Sequence, residues 1–227
     1  NNSIIDDCCA QVGVQGSVVS EGNGGGLVGR SEDCTITNCR AEVSVTGSCW
    51  VGGLVGDNNG DITGSSATGS VTGSCWVGGL VGYNIGSIAD SFATGSVTGN
   101  NISVVDNGYG GLVGYNYHGM ISKCYAAGDV SSDYEKTGGL VGYTSYGTVI
   151  DSYATGDVTG GDIVGGLVGE SRDSDIIYCY VMGGVTGGDI VGGLVGKILT
   201  TVITASYYDS DNAGISHNGY GEPRTTV

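Results

Sequence analysis

The chain has 227 residues, with 23 acidic against 7 basic side chains for a net charge of −16, and it contains 47 glycines and one proline. That balance repels a phosphate backbone and excludes a nucleic-acid binder, and no stretch reaches the roughly 20 apolar residues of a membrane-spanning helix. A hydrophobic fraction of 39% beside only 13% charge is too apolar for solvated disorder, so the glycine must serve a folded backbone. From its amino end, without an initiating Met or a secretory leader, the chain reads as a mature or excised fragment that starts inside a repeat.

Gly-Gly-Leu-Val-Gly begins at Gly25, Gly52, Gly78, Gly110, Gly138, Gly165 and Gly192, at intervals of 27, 26, 32, 28, 27 and 27 residues. A second pattern follows each copy, seen best from Gly147 to Gly160. The half-pattern from Ile5 to Gly16 opens the chain without its Gly-Gly-Leu-Val-Gly. Apolar residues form three columns down the repeats. The first runs from Leu27 to Leu194, the second from Ile5 through Ile36 and Ile62 to Ile203, and the third from Val14 through Val45 and Val71 to Val185. The segments holding them are about five residues long, β-branched and bounded by glycine, which suits strands and not helices. The expectation is an all-β parallel β-solenoid (β-helix) of about 27 residues and three short strands per coil, about eight coils in all. Glycines at the corners would supply φ > 0 and close backbone approach. The repeats would occupy residues 1–208 and an irregular closing segment residues 209–227.

The residue after each motif tests the stacking. In order these are Arg30, Asp57, Tyr83, Tyr115, Tyr143, Glu170 and Lys197, so an ion pair lies at each end of three tyrosines, as adjacent strands prefer. A second column, Phe92, Tyr125, Tyr153, Tyr180 and Tyr207, reads as an aromatic ladder. The column before it holds only Cys or Ser, from Cys8 and Cys39 to Cys179 and Ser206, as a cramped inward slot would require.

Repeated Gly-Gly-Leu-Val-Gly followed by Ser-Tyr-Ala-Thr-Gly-Asp-Val-Thr-Gly resembles the GLUG motif, and Ser206-Tyr207-Tyr208-Asp209 onward resembles the segment that closes such arrays. The resemblance implies an extracellular or cell-surface, secreted repeat region like those of adhesins and immunoglobulin A peptidases. It supplies no catalytic residues.

Eight cysteines fit no zinc spacing and point to disulfides in an oxidising compartment. Cys49 and Cys75 share a column in adjacent repeats, about 4.8 Å apart, which suits a disulfide. Cys8, Cys9, Cys34 and Cys39 lie within two adjacent coils; Cys8–Cys39 follows the column rule, although pairing among the four stays open. Cys124 and Cys179 are two rungs apart and should stay reduced. Asp129 stacks on Asp157, and Asp162 on Asp189; such pairs are either solvated or bridged by calcium, the cation that takes carboxylate oxygens. Otherwise no cofactor is expected. Asp209 to Gly214 looks partly like a calcium loop but lacks its ligands.

Insertions collect at one corner, beside Trp50, Trp76, Tyr109 and Tyr134, an edge suited to a glycan or a host protein. Asn1 and Asn101 open glycosylation sequons. His118 and His217 sit in unconnected places, so no nucleophile–base arrangement is evident and no enzyme is expected. The leading reading is a rigid stalk or a subunit of a surface fibre stacked end to end, partnered by neighbouring domains or copies of itself. The alternatives are an adhesin-type binding module and the spacer of a surface peptidase.

Overall fold

The computed structural model describes residues 3–10, 17–20, 22–100, 107–134, 136–215 and 220–225. The chain winds as a parallel β-solenoid of about seven turns whose repeat strands pair with their equivalents one turn away. Among the described residues four sheets run along its axis, with 13, 9, 7 and 7 strands. One coil shows the plan. Val141–Ser145 and Thr148–Ile150 form two arms of the largest sheet, Tyr153–Ala154 joins the second, Val158–Thr159 the third and Ile163–Gly165 the fourth. The coil therefore has five strand pieces, not three. The two extra pieces carry no conspicuous hydrophobic column of their own: Tyr-Ala alternates outward and inward, and the piece before Gly-Gly varies from coil to coil.

The registers follow the columns. Arg30 pairs with Asp57, Tyr83 with Tyr115, Tyr115 with Tyr143 and Glu170 with Lys197. Ile36 pairs with Ile62, and Val71 with both Val45 and Val97. Leu54, Leu80, Leu112, Leu140 and Leu167 are fully buried, each donating its N–H to the Leu carbonyl one coil on at 2.8–2.9 Å. In the first coil, Val45 pairs with Val18 and not with Val14, which lies outside the described residues. A longer connection there shifts the column by four positions.

Close approach, not backbone sign, explains the motif glycines. A Cβ on Gly110 would collide with the Val113 carbonyl, and one on Gly111 with the Gly139 carbonyl of the next coil. A Cβ on Gly114 would strike the Trp76 backbone. Positive φ falls elsewhere. The residue before each Cys/Ser slot is left-handed, at Asp7, Asn38, Gly64, Asp90, Lys123, Asp151, Tyr178 and Ala205, although only one of these is glycine. Such a corner costs a non-glycine residue about 1 kcal/mol or more, so the strands on either side must hold it.

Two pieces of the closing segment are regular, where an irregular segment was expected. Ser210–Ala213 is a short helix, and Glu222–Arg224 adds a parallel strand to the second sheet, outside Tyr207–Asp209. The helix packs beside Val185–Thr186, the last strand of the third sheet. Tyr208, buried to 1% exposure, covers the core, where a Cβ on Gly193 would meet its ring. Helix and strand thus cover two of the four sheets.

Candidate functional site

The slot column has one hydrogen-bond rule. Each hydroxyl or thiol donates to the carbonyl two residues earlier: Ser65 to Thr63 at 3.0 Å, Ser152 to Ile150 at 2.8 Å, Cys124 to Ser122 at 3.1 Å and Cys179 to Ile177 at 3.2 Å. The hydroxyls also accept an N–H from the coil before, as Ser65 does from Cys39 at 3.0 Å and Ser206 from Cys179 at 3.1 Å. Sulfur and oxygen both satisfy this rule, so Cys and Ser interchange there. Burial pushes the Cys124 thiol up to about 12 and the Cys179 thiol to about 11.

Cys49 and Cys75 form the disulfide, with Cα atoms 4.6 Å apart. Cys8 and Cys39 do not: both are free, and each donates within the slot, Cys8 to the Asp6 carbonyl at 3.4 Å and Cys39 to the Thr37 carbonyl at 3.2 Å. Being neighbours in a column is thus not sufficient for a bridge. Cys9 and Cys34 are free as well, as are Cys124 and Cys179.

Trp50 and Trp76 adopt φ of 51° and 50°, unusual for bulky residues. Their indoles lie across the tyrosine column, Trp50 on Tyr83 with centroids 5.3 Å apart and Trp76 on Tyr115 at 4.5 Å. Tyr115 stacks on Tyr143 at 4.7 Å, and the Lys136 ammonium lies 4.9 Å from the Tyr143 centroid. The predicted aromatic edge is therefore mostly a packed cluster. Tyr109 does not belong to it: fully buried, it pairs in register with Val77 and donates its hydroxyl to the Ser74 carbonyl at 2.6 Å. Tyr134 is 36% exposed on its loop. Asn1, Asn101 and His217 lie outside the described residues, as do residues 101–106 of the long insertion.

The ion pairs stand where the column placed them. Arg30 Nε is 3.0 Å from Asp57 Oδ2, and Lys197 Nζ is 3.5 Å from Glu170 Oε2. Burial raises the Asp57 carboxyl above its usual range, although Arg30 acts in the opposite direction. The stacked aspartates use backbone donors. Asp129 Oδ1 accepts the Asp157 N–H at 2.9 Å, and Asp157 Oδ1 accepts the Gly184 N–H at 2.8 Å. Asp162 and Asp189 are exposed. Among the described residues no group of three or more His, Cys, Asp or Glu side chains is placed to hold a metal ion. Asp209 caps the short helix, accepting from Asp211 N at 3.0 Å and from the Asn212 side chain at 2.9 Å.

One internal feature escaped the sequence reading. Asn58, Asn84 and Asn116 are fully buried and form a chain of amides, Asn58 Nδ2 to Asn84 Oδ1 and Asn84 Nδ2 to Asn116 Oδ1, both 2.8 Å. Each also donates to a carbonyl of its own turn at 2.9 Å, those of Gly60, Gly86 and Gly119. Asn116 extends the chain to Thr144 Oγ1 at 3.3 Å. The signal was present one position beyond the column used to test the stacking, where Asn recurs in three successive coils.

These features define the class: a repeat-built solenoid with internal polar and external aromatic ladders. Four segments match the family model of the GLUG motif, residues 20–46, 73–98, 106–131 and 134–159, and the chain carries GLUG repeats. A comparison with curated proteins found no significant match.

Proposed function

We propose that this chain is a non-enzymatic structural module, a rigid extracellular or cell-surface stalk that holds its neighbouring domains at a set distance. The observation that carries this reading is the parallel pairing of successive coils in all four sheets among the described residues. A solenoid bonded in this way bends little, because each coil is braced by its neighbours. The Cys49–Cys75 disulfide, with Cys49 partly exposed, fits an oxidising compartment. The net charge of −16 suits a solvated, mutually repelling surface. Among the described residues no helix is long and apolar enough to cross a membrane.

The stalk is favoured over a fibre subunit. The helix and strand of the closing segment occupy the outer edges of two sheets, where a second copy would have to pair in register. A spacer beside a peptidase domain is a form of the same reading. Placing the chain between two fluorescent proteins tests it. Seven coils at about 4.8 Å each should hold the ends roughly 35 Å apart, giving a narrow distance distribution that does not change with concentration. A broad distribution would remove the stalk, and a concentration-dependent growth of particles in light scattering would restore the fibre.

A further inference from the structure

The outer ladder of the second sheet is regular until it nears the closing segment. Phe92, Tyr125, Tyr153 and Tyr180 stack with centroids 4.9, 5.1 and 4.7 Å apart and ring planes within 7°. Tyr207 is next in register, paired with Tyr180, but its ring leaves the stack. The Arg224 guanidinium lies over it instead, 3.6 Å from the centroid. The ladder therefore ends on the face of Tyr180, which is 41% exposed. A groove of about 280 Å³ opens at this break, lined by Tyr180, Val181, Tyr207, Asp209 and Arg224 among others.

The groove offers two kinds of surface. Its wall is a tyrosine face beside Val181. Arg224 stands at its rim, stacked on Tyr207, with its N–H groups arranged as a fork. The Asp209 carboxylate is already occupied in capping the short helix. A flat apolar face with a forked donor at the rim complements a pyranose ring, whose C–H face is apolar and whose hydroxyls lie around its edge. The volume suits one ring, being at the small end of ligand pockets. A neutral sugar fits better than an acidic one, since Asp209 lines the groove and the exposed Glu222 pairs in register with Tyr207, in a protein of net charge −16.

We propose that the break in the ring ladder between Tyr180 and Tyr207 is a binding groove for a single pyranose residue of a neutral glycan. The sugar continues the stack on Tyr180, and the Arg224 guanidinium bonds its hydroxyls. This function is independent of the stalk, and it places carbohydrate contact away from the Trp50 and Trp76 cluster.

Saturation-transfer NMR and titration with maltotriose, cellotriose and mannotriose test the proposal on the full chain. At least one should bind in the millimolar range or tighter, with saturation strongest on its ring C–H protons. Tyr180→Ala should weaken that binding roughly tenfold and Tyr180→Phe should preserve it, because stacking needs the ring and not the hydroxyl. Arg224→Ala should weaken it several-fold. Circular dichroism and melting temperature report whether each variant keeps its fold. The proposal is overturned if no trisaccharide binds by about 10 mM, if folded Tyr180→Ala binds like the parent, or if N-acetyltyrosine amide binds and the sugars do not.

Discussion

Replacing Asn84 with Ala removes three hydrogen bonds from the interior: the one it accepts from Asn58 and the two it donates, to Asn116 and to the Gly86 carbonyl. No water can restore them cheaply, since all three asparagines are fully buried. Each bond contributes about 1 kcal/mol net, and a buried amide stripped of its partner costs a further 1–3 kcal/mol. The expected loss is therefore about 3–5 kcal/mol, a large share of the stability of an ordinary domain. Asn84→Thr should lose roughly half as much, because Thr144 already serves in this column as an acceptor for Asn116. Urea unfolding followed by circular dichroism measures both variants. A loss below 1 kcal/mol for the alanine variant would show that the amide chain only fills space, and the account of the interior given above would be wrong.

Four further outcomes are expected. Reducing the Cys49–Cys75 disulfide, or changing both residues to Ser, should cost about 3 kcal/mol for a loop of this size, read as a lower melting temperature; an unchanged melt would refute it. Cys124 and Cys179 should resist maleimide at pH 8 until the protein unfolds, because burial holds both thiols protonated. Their thiol pKa values rise on folding, so the folded state holds more protons above pH 9; stability should fall as pH climbs from about 9 towards 11–12, and stability flat across that range would contradict the assignment. Arg30→Gln leaves a buried Asp57 carboxylate whose pKa is already raised by burial. That variant should therefore regain stability relative to the parent as pH falls from 7 to 4, and a difference in melting temperature that does not change with pH would oppose this.

The columns were legible because repetition turns a sequence into a set of predicted neighbours. Arg30 with Asp57, the tyrosines, and Cys49 with Cys75 needed only the spacing of Gly-Gly-Leu-Val-Gly. What escaped depends on direction, which spacing does not carry. Tyr109 sits in an inward position of its strand, but an insertion of unequal length precedes it and hides the alternation. The left-handed corner bears Asp, Lys and Tyr, so composition pointed to the glycines instead, whose role is to let neighbouring coils touch. Cys8 and Cys39 share a column just as Cys49 and Cys75 do. Their column faces the inner slot, and both stay free, each thiol donating to a carbonyl of its own turn. The groove beside Tyr180 depends on where Arg224 folds back, and nothing in the repeat announces that.

The single covalent rung has a mechanical meaning. If the rod is pulled by its ends, the 26-residue separation between Cys49 and Cys75 cannot pay out, because the bond bypasses it. At up to about 3.6 Å per extended residue, roughly 90 Å of contour is withheld while the bond is intact. A reductant would release that length in one step at constant load. Pulled to full extension, the oxidised chain would therefore fall short of the reduced one by that length.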